Sequence, residues 1–180
     1  MTEFLDSIGY GQWILHALVV LPLLGVAPVL LGPESSAKWT ALAVTTLELV
    51  LSLGLWWALD PARGTIQLGS NTDWIPAWGI SYRVGIDGIS LVMVLLTTLL
   101  MPLSVLGSWR YITRQERGFY ALMLTLLTGL VGVFIALDLF VFYVFFEIML
   151  IPMYFIIGIW GGANRLYAAI KFFIYTMAGS

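Results

Sequence analysis

The 180-residue sequence has no cysteine and a single histidine, His16. Without cysteine there is no disulfide frame, no thiolate metal site and no Fe–S ligand. One histidine without other ligands cannot build a metal site, so no metal is expected. Charge is scarce as well. Asp, Glu, Lys and Arg together make up 10% of the chain and leave a net charge of −2. That near-neutral balance lacks the basic stripe a nucleic acid needs, and no nucleic-acid partner is expected. There is no glycine-rich phosphate loop and no pair of soluble-type catalytic acids. The first apolar run follows Glu3 and Asp6 rather than a basic stretch, so no cleavable signal peptide is expected.

The chain is instead filled with apolar residues, 61% of the total, with 14% aromatic. This is outside the range of soluble domains. The long apolar runs predict an all-α, polytopic transmembrane bundle of about six helices. A short polar lead-in over 1–12 precedes spans at Trp13–Leu31, Trp39–Leu59, Gly88–Leu106, Phe119–Leu137 and Leu139–Trp160, and a sixth opens near Leu166. Pro22 and Pro28 suggest a bend in the first span. The one long polar connection, 60–87, carries turn residues and two β-leaning runs, Thr65–Leu68 and Ile80–Val84. They predict a β-hairpin-like cap on the outer surface, with Trp74 and Trp78 suited to the interface.

The fifth run, LFVFYVFFEIMLIPMYFIIGIW, carries one ionisable residue, Glu147. Burying a carboxylate in a bilayer costs upward of ~2.5 kcal/mol. Five positions on, Pro152 cannot donate to the Ile148 carbonyl, and a kink is expected beside the acid. Helical spacing puts Tyr143, Glu147, Ile151, Tyr154 and Gly158 on one face. Glu147 reads either as a protonated acid tying two helices together or as a proton carrier, the default for an intramembrane acid.

Glu48, in the middle of the second span, has the same two readings: a neutral interhelical hydrogen bond, or an additional proton site. His16 suits an interfacial or hydrogen-bonded role. Lys171 lies within the sixth span, between Tyr167 and Tyr175 on one face. It either snorkels to the inner interface or exchanges protons with Glu147, since a buried Lys and a buried Glu each titrate nearer neutrality. The two should differ in depth by roughly 10 Å.

Lys38, Arg110, Arg114, Arg117 and Arg165 fall on loops one, three and five. Arg63 and Arg83 stand on the other side with Glu3, Asp6, Asp60, Asp73, Asp87 and Asp138. The positive-inside rule then puts the N-terminus and the 60–87 loop outside. Because the sequence stops within an apolar helix, it reads as part of a longer chain.

Three stretches carry a family resemblance: WIPAWGISYRVGIDGISL (74–91), DLFVFYVFFEIMLIPMYFIIGIWGG (138–162) and RLYAAIKFFIYTMAGS (165–180). They resemble chain 4, or chain M, the antiporter-like subunit of proton-pumping NADH:quinone oxidoreductase, respiratory complex I. The E-x-x-L-x-P-M-Y block, Glu147 to Tyr154, favours chain 4 over its sister subunits 2 and 5. Residues 1–73 fit the layout but carry no motif. The resemblance implies about fourteen helices in two inverted repeats. Residues 1–118 would be three N-terminal helices with the outer loop, and 119–180 the start of the first repeat.

It implies a proton-translocating function, with Glu147 matching the acid of the fifth helix. That acid's lysine partner, on a seventh helix, falls outside this sequence, and Lys171 matches a recurrent sixth-helix lysine. The chain itself would do no redox chemistry and hold no cofactor; NADH, FMN, Fe–S clusters and quinone belong to other subunits. Its partners would be the lipid bilayer and the antiporter-like subunits of the chain 2 and chain 5 kind. The membrane would be the bacterial inner membrane, or the thylakoid membrane, since GGANRLYAAIKF also resembles cyanobacterial and plastid versions. Two other functions fit the same residues: a subunit of a multi-subunit Na⁺/H⁺ antiporter, and a membrane scaffold without transport.

Overall fold

In the computed structural model, which describes residues 2–60, 62 and 64–180, the apolar runs are helices. Helix α1 (Thr2–Ser7) leads into α2 (Tyr10–Leu31). Helix α3 (Glu34–Leu53) resumes after Gly54 as the single turn α4 (Leu55–Ala58). Four more helices follow the hairpin: α5 (Gly88–Ser108), α6 (Glu116–Ile135), α7 (Leu139–Trp160) and α8 (Arg165–Gly179). Among the described residues, five helices are long and apolar enough to cross a membrane, counting α3 and α4 as one. Helix α8, with 15 residues, rises about 22 Å, short of a ~30 Å hydrocarbon core. The expected sixth span is therefore a partial one. Helices α2, α3 and α6, which carry the first, second and fourth spans, begin three to five residues before the apolar runs. Apolarity marks only the buried stretch, and a polar first turn is helical too.

Caps fix the helix starts. At α5, Asp87 Oδ1 accepts from the backbone N–H of Ile89 (3.0 Å) and Ser90 (2.8 Å), and the Asp87 N–H donates to Ser90 Oγ at 2.8 Å. This reciprocal box holds the Asp87 carboxyl below its ordinary value, chiefly through the Ser90 backbone bond. At α7, Asp138 Oδ1 accepts from Phe140 and Val141 N–H at 2.9 and 3.3 Å. One aspartate thus turns the chain from α6 into α7.

Helix α6 is the centre of the bundle, packed against α2, α3, α5 and α7. Small residues let its neighbours close in, as in membrane helix packing generally. A Cβ at Gly25 of α2 would sit 2.9 Å from Val44 of α3 and 3.2 Å from Leu124 of α6. Large apolar side chains on the outer faces, such as Leu24, Val50, Leu99 and Ile174, are exposed, as lipid-facing positions would be.

The 60–87 connection is an antiparallel hairpin of β1 (Gln67–Ile75) and β2 (Ile80–Ile86), joined by one 3₁₀ turn over Pro76–Trp78. The expected strands are present, but β1 starts two residues late and runs on through Asn71–Trp74. The pairing register of Ser70 to Val84 and Asp73 to Ser81 carries those turn-prone residues into the ribbon, where both faces are mostly exposed. Only the end of β2 is buried, with Val84 and Ile86 fully enclosed. The Leu137 N–H donates to Arg83 O at 2.9 Å, pinning the hairpin over the α6–α7 turn.

Charges are sorted between the two ends. Lys38 lies over the Trp109 ring at 5.4 Å, and Trp160 Nε1 donates to Arg114 O at 2.8 Å. Arg165 donates to Ile159 O at 2.7 Å beside them. Asp73, Arg83, Asp87 and Asp138 lie at the hairpin end. Arg63 lies outside the described residues, as does the Asp6 side chain.

Candidate membrane-embedded acid site

Glu147 sits eight residues into α7, about 12 Å from its hairpin-side end. Two glycines of α6 allow α7 to come close on either side of it. A Cβ at Gly132 would lie 2.2 Å from the Phe145 ring, and one at Gly129 would lie 2.7 Å from Met149 Cβ. Glu147 itself is half-buried. Its Oε1 accepts from Ser180 Oγ at 3.1 Å, and Tyr143 lies one turn away on the same face. Tyr143 and Ser180 also line a cleft of ≈ 650 Å³ bounded by the hairpin tip (Trp78 to Ile80) and the start of α7. The carboxyl is therefore joined through Ser180 to a cleft beside the hairpin tip.

Pro152 is buried, and α7 stays helical across it. Lys171 stands apart from Glu147. Its Nζ lies over the rings of Tyr167 (5.6 Å) and Tyr175 (5.8 Å), its neighbours one turn away in each direction. The α7–α8 register is set by Gly158 facing Ala169, the Tyr154–Phe173 ring contact and the Glu147–Ser180 bond. Lys171 is thus nine residues short of the acid's level, about 13 Å along the helix. The expected offset was slightly smaller.

Glu48 is placed differently. It is 0% exposed, enclosed where α3 packs on α2, α5 and α6. One turn further on, Ser52 Oγ and Thr98 Oγ1 pair at 2.7 Å across α3 and α5. At the end of α3 the Tyr10 hydroxyl donates to the Leu51 carbonyl, in the space left by Gly54. The sequence did not suggest the Ser52–Thr98 pair. The four-residue step from Glu48 to Ser52 was the only available signal. His16 stacks on Tyr82 of the hairpin at 5.6 Å, and burial raises the Tyr82 hydroxyl above its ordinary value. Among the described residues no cluster of three or more His, Cys, Asp or Glu side chains forms a metal site.

Two family descriptions cover almost the whole chain. Residues 17–133 match "NADH-ubiquinone oxidoreductase chain 4, amino terminus". Residues 136–180 match "NADH:quinone oxidoreductase/Mrp antiporter, TM". NADH-quinone oxidoreductase subunit M of Rhodobacter capsulatus is 44% identical over 176 residues, covering 94% of this chain and 34% of that protein. A chain of respiratory complex I from Thermus thermophilus superposes with TM-score 0.78 at 30% identity, covering 92% of this chain and 33% of that one. A chain of the Mrp complex from a Dietzia species gives TM-score 0.76 at 22% identity, over 92% of this chain and 18% of the other; this likeness is one of fold. The sequence spans about a third of the length of the relatives it matches. The chain belongs to the NADH-ubiquinone oxidoreductase chain 4 family, whose amino-terminal part it matches.

Proposed function

We propose that this chain is part of a proton-translocating membrane subunit of an NADH:quinone oxidoreductase, and that Glu147 carries the proton. The observation behind this is the setting of Glu147. A carboxyl within a span accepts from the Ser180 hydroxyl, and Ser180 and Tyr143, one turn from the acid, line a cleft beside the hairpin tip. A carboxyl there is costly when ionised and unpaired, so its proton affinity follows its neighbours, and a cation approaching or leaving would load or unload it. In this reading Pro152 frees the Ile148 carbonyl and bends α7 next to the acid. Lys171 serves as a cation further along the path rather than as a direct ion-pair partner. The first antiporter-like repeat begins at residue 119. The chain holds no redox group, and the electron-carrying groups sit in partner subunits. The membrane is a bacterial inner membrane, with the hairpin on its outer side.

The names of the curated relatives favour this over a Na⁺/H⁺ antiporter subunit, with which residues 136–180 share a family description. The test is Glu147→Gln in the assembled complex, with quinone reduction and proton uptake measured per complex. Pumping should fall to a small fraction of wild type with assembly intact, and Glu147→Asp should keep part of it. A Gln variant that pumps at the wild-type rate would leave Glu147 as a helix tie only.

A further inference from the structure

Five polar residues are enclosed in the described core: Thr45, Glu48, Ser52, Thr98 and Thr128. Four are satisfied. Thr45 donates to Ala41 O at 2.8 Å, Ser52 pairs with Thr98, and Thr128 donates to Val19 O at 3.2 Å. Neither carboxyl oxygen of Glu48 has a partner among the described residues. Buried polar groups are rarely left this way. The acid is already enclosed by α2, α3, α5 and α6, so nothing docking on the outside of these helices can pair with it. An ionised carboxylate here would be an uncompensated buried charge; the neutral acid, with an O–H to donate, is the form that fits.

Acceptors for that O–H stand at its level. Helices α3 and α5 run antiparallel and meet at Ser52–Thr98, so one turn further in Glu48 is level with Pro102. Pro102 has no N–H for the Thr98 carbonyl. Helix α2 touches α3 at Tyr10–Leu51 and again at Gly25–Val44. Those two contacts bracket Glu48 and put it level with about His16 and Ala17, just before Leu18, whose carbonyl lacks a helical donor because Pro22 follows four residues later. An acid, two carbonyls without their helical donor and two paired hydroxyls therefore share one stretch of the core. Counted from Ala58, Glu48 lies about 15 Å deep, near the middle of a span.

No Lys or Arg stands at that depth. Helix α5 carries no titratable side chain. Helix α2 brings Tyr10 at the hairpin end and His16 close to the level of Glu48, stacked on Tyr82 of the hairpin. Helix α6 brings Glu116, Arg117 and Tyr120 at the other end, where Glu34 and Lys38 of α3 also lie.

We propose that Glu48 is a second proton-binding site of this chain, separate from Glu147, which holds its proton in the α2–α3–α5–α6 core and exchanges it toward the hairpin end through the Ser52–Thr98 hydroxyl pair. In the exchange the Glu48 side chain, whose oxygens touch neither hydroxyl at rest, turns toward Ser52 one helical turn away; its Oε–H bond breaks and the proton bonds to the Ser52 hydroxyl oxygen. That hydroxyl's own proton moves on toward water at the hairpin end, and the reverse relay reloads the carboxylate. The site does not depend on what Glu147 does.

The test is infrared difference spectroscopy of the assembled, full-length complex in membranes, in H₂O and D₂O. The wild type should show a protonated-carboxyl C=O band that is lost in Glu48→Gln and moved in Glu48→Asp. The band should shift in D₂O, and Ser52→Ala with Thr98→Val should slow that shift. The band should persist in Glu147→Gln, which separates this site from the proposed function. No band assignable to Glu48, a band that stays unshifted in D₂O, or exchange unchanged by the hydroxyl variants would each overturn the proposal.

Discussion

The seam between α6 and α7 holds Glu147 in place, and Gly132 is where it is tightest. A Cβ there would lie 2.2, 2.3 and 2.6 Å from Phe145 Cδ1, Cγ and Cε1, against ordinary carbon contacts of about 3.5–4.0 Å. The ring must retreat by more than ~1 Å. Turning it about χ2 does not help, because Cγ lies on the rotation axis and is itself too close. Overpacking of this kind costs about 1–3 kcal/mol. Replacing a helical glycine by alanine returns up to about 1 kcal/mol, so Gly132→Ala should be destabilising by roughly 0–2 kcal/mol, and Gly132→Val by more.

The signature is a rescue. Phe145→Ala removes Cγ and the ring atoms beyond it, so the double variant should be more stable than the two single costs together imply, with a coupling of about 0.5–3 kcal/mol. Gly129→Ala should behave differently. Its Cβ would meet Met149 N and Cα at 3.1 Å, and no side-chain change at Met149 removes backbone. The readouts are the amount of assembled complex and its thermal midpoint in detergent. Wild-type stability of Gly132→Val, or additivity of Gly132→Ala with Phe145→Ala, would refute the close-packed seam.

Other perturbations reach the ends of the bundle. Asp87→Ala should weaken the start of α5 by about 0.5–2 kcal/mol, and Asp87→Asn should retain most of the cap. Asp87 is held below its ordinary carboxyl value in the fold, so its contribution is complete above that ordinary value and is lost as pH falls through the lowered one. Thermal midpoints of wild type and Asp87→Ala should therefore converge under acid conditions and separate toward neutrality; a constant difference would show that the ionised carboxyl is not what caps α5. For the orientation, Asn71→Cys should react with an impermeant thiol reagent added to intact cells, and Gln115→Cys only after the membrane is opened. The reverse pattern would invert the bundle.

The helices were legible in the sequence because lipid exposure demands apolar side chains all round, and such runs have sharp edges. Leu139–Trp160 was placed residue for residue, since Asp138 and Gly161 close it at both ends. The hairpin was legible only in outline. Asn71, Thr72 and Asp73 look like a turn, yet they pair with Ser81 through Arg83, and in an exposed ribbon the partner strand, not propensity, decides the register. Glu147 stood out as a lone charge in a long apolar run, and Tyr143 followed from its spacing. The α7–α8 register that brings Ser180 to Glu147, and leaves Lys171 between two tyrosine rings, is a tertiary fact with no local signal.

The two acids differ in what surrounds them, and that difference bears on what each can do. Glu147 is half-buried on a face that carries exposed Ile151 and half-buried Tyr154, so groups outside this bundle can approach it, and its neighbours can change. Glu48 is sealed by helices that belong to this chain, with acceptors but no Lys or Arg at its level, so its surroundings are fixed by the fold. An acid whose partners can move is suited to being loaded and unloaded by a moving charge. An acid in a fixed cage, one helical turn from the Ser52–Thr98 hydroxyl pair, is suited to storing a proton. Both were single letters in apolar runs; only the packing of α2, α3, α5 and α6 around one, and of α6 and α8 beside the other, separates the two roles.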